Sequence, residues 1–524
     1  MRSKSGQILG GLLALVMGIG VAGTLFLYMN PHRFVSYNPF TKPEMIVDYS
    51  VIEAWDLVVY GTEPEGIAAA VAGARQNLKT LLISEDSTYG GLMTLGWLNS
   101  LDMSFDISGP ERLLLTQGIF EEWWDEIHRP FSFQISEASR AFLRMMAAEA
   151  NLTVRTNQSL LGIERHDIQA VPDAEHGRYP LLQTGESSPS GREVLHRLKF
   201  ANPEGLEYRV EAPFYIDATA DAELLAQTGA EFSIGWEDIG RPDTWMAPTI
   251  VFEVEGVNWN EVVAYAQGLG DMRYGANADS AWAYWEIVEN YQPEDPLTYL
   301  RGLNIGRQNR DDNQREYTTV LINALLLFDV DVFSPEAKQQ ALLRGEAEAR
   351  RIVEFLQDEA PGFGNAVFSR SAPQLYVRES RHLHSLYTLS IDDVLEERHF
   401  WDEIAIGAYP VDLQAVSAGE RERTLYAPIR GYGIPLRCLI PSKGPSNAFV
   451  VGRSAGFSSE AHGSARVIPV GMVCGEAAAL AVSYALAEKL ADTHQLVSNE
   501  AVASIQQEIR ARGGFLRFEE ARSE

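Results

Sequence analysis

Cysteine is nearly absent: Cys438 and Cys474 are the only two in 524 residues. Two thiols so far apart in type and context make neither a disulfide framework nor a metal site. No HExxH pattern and no clustered Cys/His set occurs in the chain, so metal chemistry has no support. Positive charge is scarce as well. Against 72 Asp and Glu stand 43 Lys and Arg, a formal net charge of −29. With no basic stripe to neutralise phosphates, the balance argues against a nucleic-acid partner and against lying flat on an anionic membrane. Internal repeats and low-complexity segments are also missing.

What is present is a globular composition, 46% apolar and 22% charged, which excludes large-scale disorder. A chain of 524 residues is too long for one ordinary core, so two intimately packed domains are expected. Ile8 to Met29 is an unbroken run of 22 apolar or small residues behind Arg2 and Lys4. That length spans a bilayer as a helix. Leu25-Phe26-Leu27-Tyr28-Met29 offers no small-x-small cleavage site, so the run reads as an uncleaved transmembrane signal anchor. Arg2, Lys4 and the terminal amine on one side outweigh Arg33 and Lys42 on the other, which tips the body of the protein outside the cell. Residues 30–53, broken by Pro31, Pro39 and Pro43, read as a linker.

The most informative local pattern follows the linker. Leu57-Val58-Val59-Tyr60 reads as a buried strand, Gly61-Thr62-Glu63-Pro64-Glu65-Gly66 as a tight turn, and Ile67 to Gln76 as an alanine-rich helix. Strand, glycine turn and helix together present backbone N–H groups and a helix N-terminus to a pyrophosphate. Pro64 suits the first helical turn. Thr80-Leu81-Leu82-Ile83 is the next strand and ends at Ser84-Glu85, where a side chain can hold an adenosine ribose. Glu63 takes the place of the middle glycine of GxGxxG, and the usual ribose acid falls at Ser84 with Glu85 one residue later.

Farther on, helices are expected around Glu111–His128 and Glu137–Asn151, and a small β-meander over about 166–212. Phe214-Tyr215-Ile216-Asp217-Ala218-Thr219 is another buried strand closing on small residues. A long amphipathic helix starts at Ser334 as N-cap, with Pro335 in its first turn, and runs to about Asp358. Trp236, Trp245, Trp259, Trp282 and Trp285 fall in the same middle region and either stack on sugars or fill a core. Asn447 to Arg453 is again strand-to-glycine, and Val467 to about Leu490 is a helix of small residues.

The order of landmarks resembles the FAD-dependent oxidoreductase family of the glutathione-reductase-like flavoprotein superfamily. The landmarks are Asp56 to Gly66, Tyr89-Gly90-Gly91-Leu92-Met93-Thr94, Ile216 to Thr219, Val377-Arg378-Glu379-Ser380-Arg381, and Ile434 to Ala479. The resemblance implies an α/β fold. A Rossmann-like FAD-binding domain is split in sequence, 54–227 and 431–490, with an α+β substrate domain inserted at 228–430 and a tail helix over 491–524. It implies FAD as cofactor, a small-molecule substrate, and an electron acceptor that the motifs do not specify. Gly90 and Gly91 let backbone pass close to the cofactor. Asp217 and Thr219 resemble the family's strand-end turn, with Ala220 where glycine is usual, so that Ala220 must avoid positive φ. Gly452 and Arg453 resemble the second cofactor motif, in which an arginine pairs with phosphate. Gly471 and Met472 open the last helix, whose N-terminus favours negative charge on a reduced flavin.

Arg378, Arg381 and Arg466 are the polar groups expected to face the flavin, because guanidinium forks suit an oxygen-rich or carboxylate-bearing substrate. Strand spacing would place Arg378 and Arg381 on opposite faces, and the alternative role for them is ion pairing at a domain junction. His462, ahead of His382 and His384, is the expected proton acceptor. The family's commoner pattern has histidine just before Glu460, where this chain has Ser459. Neither a second glycine fingerprint nor a paired-cysteine disulfide is present, which disfavours a two-nucleotide reductase. The competing reading from a different class is a catalytically silent binding or structural protein that retains the flavoprotein fold.

Overall fold

Short, mostly apolar runs such as Leu57–Tyr60, Thr80–Ile83 and Phe214–Asp217 are buried along their whole length, so they pair in the middle of a sheet covered on both sides. In the computed structural model they form a five-stranded parallel sheet in the order Ala448–Val450, Phe214–Asp217, Leu57–Tyr60, Thr80–Ile83, Leu152–Arg155. The structure describes residues 52–106, 112–167, 193–270, 274–308, 317–420, 423–425 and 429–517. The expected Ile8–Met29 anchor and all but the last two residues of the linker lie outside these. Everything from Ile52 onward belongs to one compact unit.

Strand order reverses beside Leu57–Tyr60: the chain builds outward through Thr80–Ile83 to Leu152–Arg155, then returns to add Phe214–Asp217 and Ala448–Val450 on the other flank. Such a reversal leaves a crevice at the carboxyl ends of the central strands. One face of the sheet is covered by the helix Pro64–Arg75, with Pro64 in its first turn as expected, and by the helix Ile468–Ala487. These two helices meet through small residues. A Cβ on Gly475 would fall on the Glu65 carbonyl oxygen, and one on Gly471 would fall on the Glu65 side chain. The other face is capped by a four-stranded sheet, Ile52–Ala54, Glu207–Glu211, Glu193–Ala201 and Ser159–Asp167. It stands where the meander was expected.

The middle of the chain forms a six-stranded antiparallel sheet in the order Gly275–Ala276, Ser280–Ala283, Thr298–Arg307, Tyr317–Leu327, Thr249–Asn258, Val367–Ser371. The helix Pro335–Glu359 lies on it through Ala341, Gly345, Ala349, Ile352 and Leu356, and Ser334 Oγ caps its start by accepting from Ala337 N–H at 3.1 Å. The register slips between Leu300 and Asn304, a bulge that re-aims the side chains of Arg301 and its neighbours. Trp236 and Trp259 are core residues, Trp245 and Trp285 pack beside the core, and Trp282 is 41% exposed. The tail helix Asn499–Ala511 buries Ala501, Val502, Ile505 and Ile509. One helix among the described residues, Ile468–Ala487, is long and apolar enough to cross a membrane, and it is enclosed by the protein as a core helix.

Gly66 sets how closely helix and strand approach, because a Cβ there would overlap the Gly61 carbonyl oxygen and lie 2.9 Å from Ala218 Cβ. Two of the three nearest atoms are backbone and cannot swing aside. Gly66→Ala should therefore lower stability by about 3 kcal/mol through overpacking and yield a protein without bound flavin. Thermal unfolding and flavin absorbance after purification check both.

Candidate functional site

Three adjacent cavities that share lining residues lie between the strand ends and the antiparallel sheet. The first, about 330 Å³, opens at the carboxyl ends of the central strands and is lined by Gly61, Glu63, Ser84, Glu85, Thr219 and Arg453, among others. Gly61 holds φ at +109°, and a Cβ on it would overlap the Ala218 backbone. The turn therefore requires glycine there. Asp217 is buried and does not line the cavity. Its carboxylate instead accepts from Thr219 N–H at 3.1 Å, Thr219 Oγ1 at 2.7 Å and Leu225 N–H at 2.8 Å, and so fixes the turn that does. Ala220 stays out of the left-handed region as expected, and Ala222 enters it at φ +50°.

Glu63 is the chain's departure from the glycine pattern, and its buried carboxylate lies against Gly91, where a Cβ would overlap it. Gly91 itself has φ +41°, and Gly90 has φ +95°. The Glu63 carboxylate accepts from Leu92 N–H at 3.3 Å and pairs with Arg453 Nη1 at 3.2 Å. Burial pushes its carboxyl above the usual range while Arg453 opposes that. Glu65, two residues on in the first turn of the helix, is pushed up to about 7 by burial and by Glu63. Both sequence candidates for the ribose lie at this cavity, but each already has a partner. Ser84 Oγ is 3.2 Å from Asp86 Oδ2, and Glu85 Oε1 accepts from Leu160 N–H at 2.8 Å. Asp86, which also lines the cavity, is a carboxylate that the motif count passed over.

The second cavity is a narrow cleft that shares Leu92 and Arg453 with the first and continues past Asp102, Tyr376, Arg378 and Arg466. The third, about 60 Å³, shares Leu98, Ser100, Asp102, Tyr376 and Arg378 with the cleft and adds Arg301, Asn304, Asn323, Tyr409, Asp412 and Gln414. The segment Leu375–Arg378 divides the cavities residue by residue: Leu375 and Val377 line the first, Tyr376 and Arg378 the other two.

A hydrogen-bonded network fills the inner end. Arg466 Nη1 donates to Tyr376 Oη at 2.8 Å and its Nη2 to Asp412 Oδ2 at 3.3 Å. Gln414 Nε2 donates to Asp412 Oδ1 at 2.6 Å, and Gln414 accepts in turn from Arg301 Nη1. Tyr409 lines the inner cavity with Asp102, close enough for the two to interact electrostatically. Arg378 donates to the Ala247 carbonyl at 2.8 Å and stacks 4.2 Å over the Tyr376 ring. Burial, with Arg301 and Arg466 nearby, lowers its pKa to about 10 despite the opposing Tyr376 and Asp412.

The structure brings Arg378 and Arg466 together and leaves Arg381 and His462 aside. Arg381 donates to the Asp221 carbonyl at 2.7 Å and stacks on Phe333, lining none of the three cavities, because the strand it opens, Arg381–Leu383, pairs with Phe232–Ile234. The ion pairs considered for Arg378 with Glu379, and for Arg381, do not form among the described residues. Glu379 is bound instead by His382 at 3.1 Å and by Met246 N–H at 2.7 Å. His462 is fully buried on the edge of the His382 ring and lines none of the cavities. Burial, then His382, Arg466 and Arg453, hold it well below the usual histidine range, so it stays neutral. Gly452, at φ +80°, places Arg453 at the cavity, whereas Gly471 and Met472 serve helix packing. Asp102, Arg301, Tyr376, Tyr409, Asp412 and Gln414 escaped the sequence reading. The one available signal was spacing: Tyr376 and Arg378, like Asp412 and Gln414, are two apart on extended chain.

A family model described as FAD dependent oxidoreductase matches residues 56–509. No curated protein matches. Solved structures similar to this chain include a geranylgeranyl bacteriochlorophyll reductase-like protein from Thermoplasma acidophilum, at 12% identity over 88% of this chain and 84% of that one, with a TM-score of 0.34. A p-nitrophenol 4-monooxygenase from Pseudomonas putida matches at 10% identity over 87% and 84%, with a TM-score of 0.38. A flavin-dependent brominase matches at 11% identity over 87% and 85%, with a TM-score of 0.39.

The raised Glu65 carboxyl has a consequence for stability. Its folded value of about 7 lies above the ordinary 4.5 of the unfolded chain. Between these values the folded state keeps a proton that the unfolded state has lost, so stability falls as pH rises through that window and levels off above it. Glu65→Gln should remove much of this slope and stabilise the flavin-free protein at pH 8 by roughly 3 kcal/mol. Urea midpoints at pH 5.5 and pH 8 for both proteins read the difference. Asp217, raised to about 6 by burial, will retain some slope below that pH.

Proposed function

This chain belongs to the FAD-dependent oxidoreductase family, and from that premise we propose that it removes a hydride from a C–H bond of a small oxygenated substrate held at the buried arginine cluster. FAD is the cofactor. The residues fit its dinucleotide end. The first cavity lies at the carboxyl ends of the parallel strands beside the N-terminus of Pro64–Arg75, which suits a pyrophosphate. Arg453 lines it with its buried Nε lacking a hydrogen-bond partner. Glu63 already shares Arg453, so a phosphate reaching that guanidinium competes with an internal carboxylate. The return of Ala448–Val450 to a sheet begun at Leu57–Tyr60 supports placing the fold among the glutathione-reductase-like flavoproteins.

Bound FAD supplies a two-electron acceptor. Binding, orientation and proton handling fall to the chain. The observation that carries the reading is that Ser100, Asp102, Tyr376 and Arg378 line both the inner cavity and the cleft leading back to Arg453. A substrate in the inner cavity would meet the cofactor at these four residues. Arg466, fixed by Tyr376 and Asp412, is the fork that orients it. The enclosed walls exclude water, which strengthens each polar contact made inside.

Purified residues 45–524 should be yellow or reconstitute with FAD, and anaerobic addition of the right oxygenated substrate should bleach the flavin. A protein that cannot be reconstituted would overturn the reading. We further propose that Ile8–Met29 tethers the protein to a membrane with its body outside the cell, a reading supported by the 22-residue apolar run and the flanking charges. Protease shaving of intact cells should digest the body. Full protection until lysis would reverse the orientation.

A further inference from the structure

Arg378 is a buried cation without a counter-ion. It is 2% exposed, lines both the cleft and the inner cavity, and forms no ion pair among the described residues. Its hydrogen-bond partner is a neutral carbonyl, that of Ala247. Arg301 lines the inner cavity beside it and Arg466 the cleft, while the nearby carboxylate Asp412 is engaged by Arg466 and Gln414 rather than by Arg378. Burying an uncompensated cation is expensive unless something anionic completes the site. Around it stand neutral groups that suit hydroxyls: Asn304, Asn323, Gln414 and Tyr409. The buried Asn323 Oδ1 has no hydrogen-bond partner.

The two carboxylates differ in commitment. Both oxygens of Asp412 are engaged, with Gln414 Nε2 at 2.6 Å on one and Arg466 Nη2 at 3.3 Å on the other. Asp102 has Tyr409 as a neighbour, and it alone of the two lines both the cleft and the inner cavity. The charged and titratable groups facing it are Arg466, Asp412, Tyr409 and Arg301. Burial raises its carboxyl above the usual range, with Arg466 opposing. The carboxylate whose oxygens are less engaged and which reaches both spaces is the one placed to accept a proton.

We propose that the substrate is a hydroxy acid, its carboxylate held by Arg378 and its hydroxyl proton taken by Asp102. The inference rests on the oxidoreductase reading above and names the substrate class of that same site. In the step, the carbinol C–H bond breaks and its electron pair leaves with the hydride to FAD. The O–H bond breaks and its proton passes to the Asp102 carboxylate. The C=O bond forms, and the product is an oxo acid. The substrate loses two electrons and the flavin gains them, so a single turnover is balanced without a further oxidant.

The test uses FAD-loaded enzyme, shown competent by dithionite reduction, mixed anaerobically with glycolate, lactate, malate, tartrate and gluconate. Glycerol, erythritol and glucose serve as neutral counterparts. Bleaching by one or more of the acids and by none of the neutral compounds supports the inference. Bleaching by a neutral compound, or by none of the panel in enzyme that dithionite reduces, overturns the hydroxy-acid assignment while leaving the FAD assignment intact. With the active acid, Arg378→Met should weaken binding, read from the flavin spectral shift, at least 100-fold, and Arg378→Lys should recover part of it. Asp102→Asn should bind within threefold of wild type but reduce flavin at least 1,000-fold more slowly. The wild-type single-turnover rate should rise with pH through an ionisation above the ordinary carboxylate range. A flat wild-type profile, or an Asp102→Asn protein that reduces flavin at the wild-type rate, would remove Asp102 from the role even if a variant loads flavin poorly.

Discussion

The close approach of Gly475 to the Glu65 carbonyl joins two helices some four hundred residues apart in the chain, and the cavities depend on it. A Cβ at Gly475 would push the helix Ile468–Ala487 away from Pro64–Arg75 and carry Val467 and Ile468 out of the cleft they line. Gly471 rests on the Glu65 side chain, and Gly66 on the Gly61 carbonyl, so the interface is backbone against backbone with little side-chain slack. Such contacts give dispersion attraction along their whole length and tolerate almost no added volume. The chain thereby fixes the position of Arg453 relative to the glycine turn.

Charge buried at the site is the cost of that arrangement. Glu63, Glu65, Arg453, Arg378 and Arg466 are all buried within a chain of net charge −29. The chain as a whole is acidic, but within the inner cavity Arg378 has no carboxylate paired with it among the described residues. An anionic ligand would relieve the interior, whereas at the strand ends Glu63 is an internal anion already paired with Arg453. The two ends therefore respond oppositely to added negative charge, although one cleft links them. In a low-dielectric interior each of these pairings weighs more than it would at the surface.

Much of the fold could be read from pattern. The runs Leu57–Tyr60, Thr80–Ile83 and Phe214–Asp217, the Ser334 cap with Pro335, and the small-residue helix near Val467 all formed where local chemistry placed them. The strand spacing of Arg378 and Arg381 was also informative, since the two side chains do separate. The choice of His462 as proton acceptor followed the neighbouring motif, yet the histidine is sealed against His382, away from the cavities. Asp102 was missed because nothing local distinguishes it from a loop aspartate.

The sequence by itself determined the covalent order of motifs, the glycines that a tight turn needs, and the apolar periods that decide strand or helix, because each depends on neighbours within a few residues. Tertiary structure alone decided which polar groups converge. Asp102 lies downstream of Gly90-Gly91, Arg301 sits at a bulge of the antiparallel sheet, Tyr376 and Arg378 on a loop segment, Asp412 within a two-stranded ribbon, and Arg466 at the end of a short helix. Their meeting depends on sheet register and helix packing summed over the whole chain. Their charge states depend on burial, which no single segment carries.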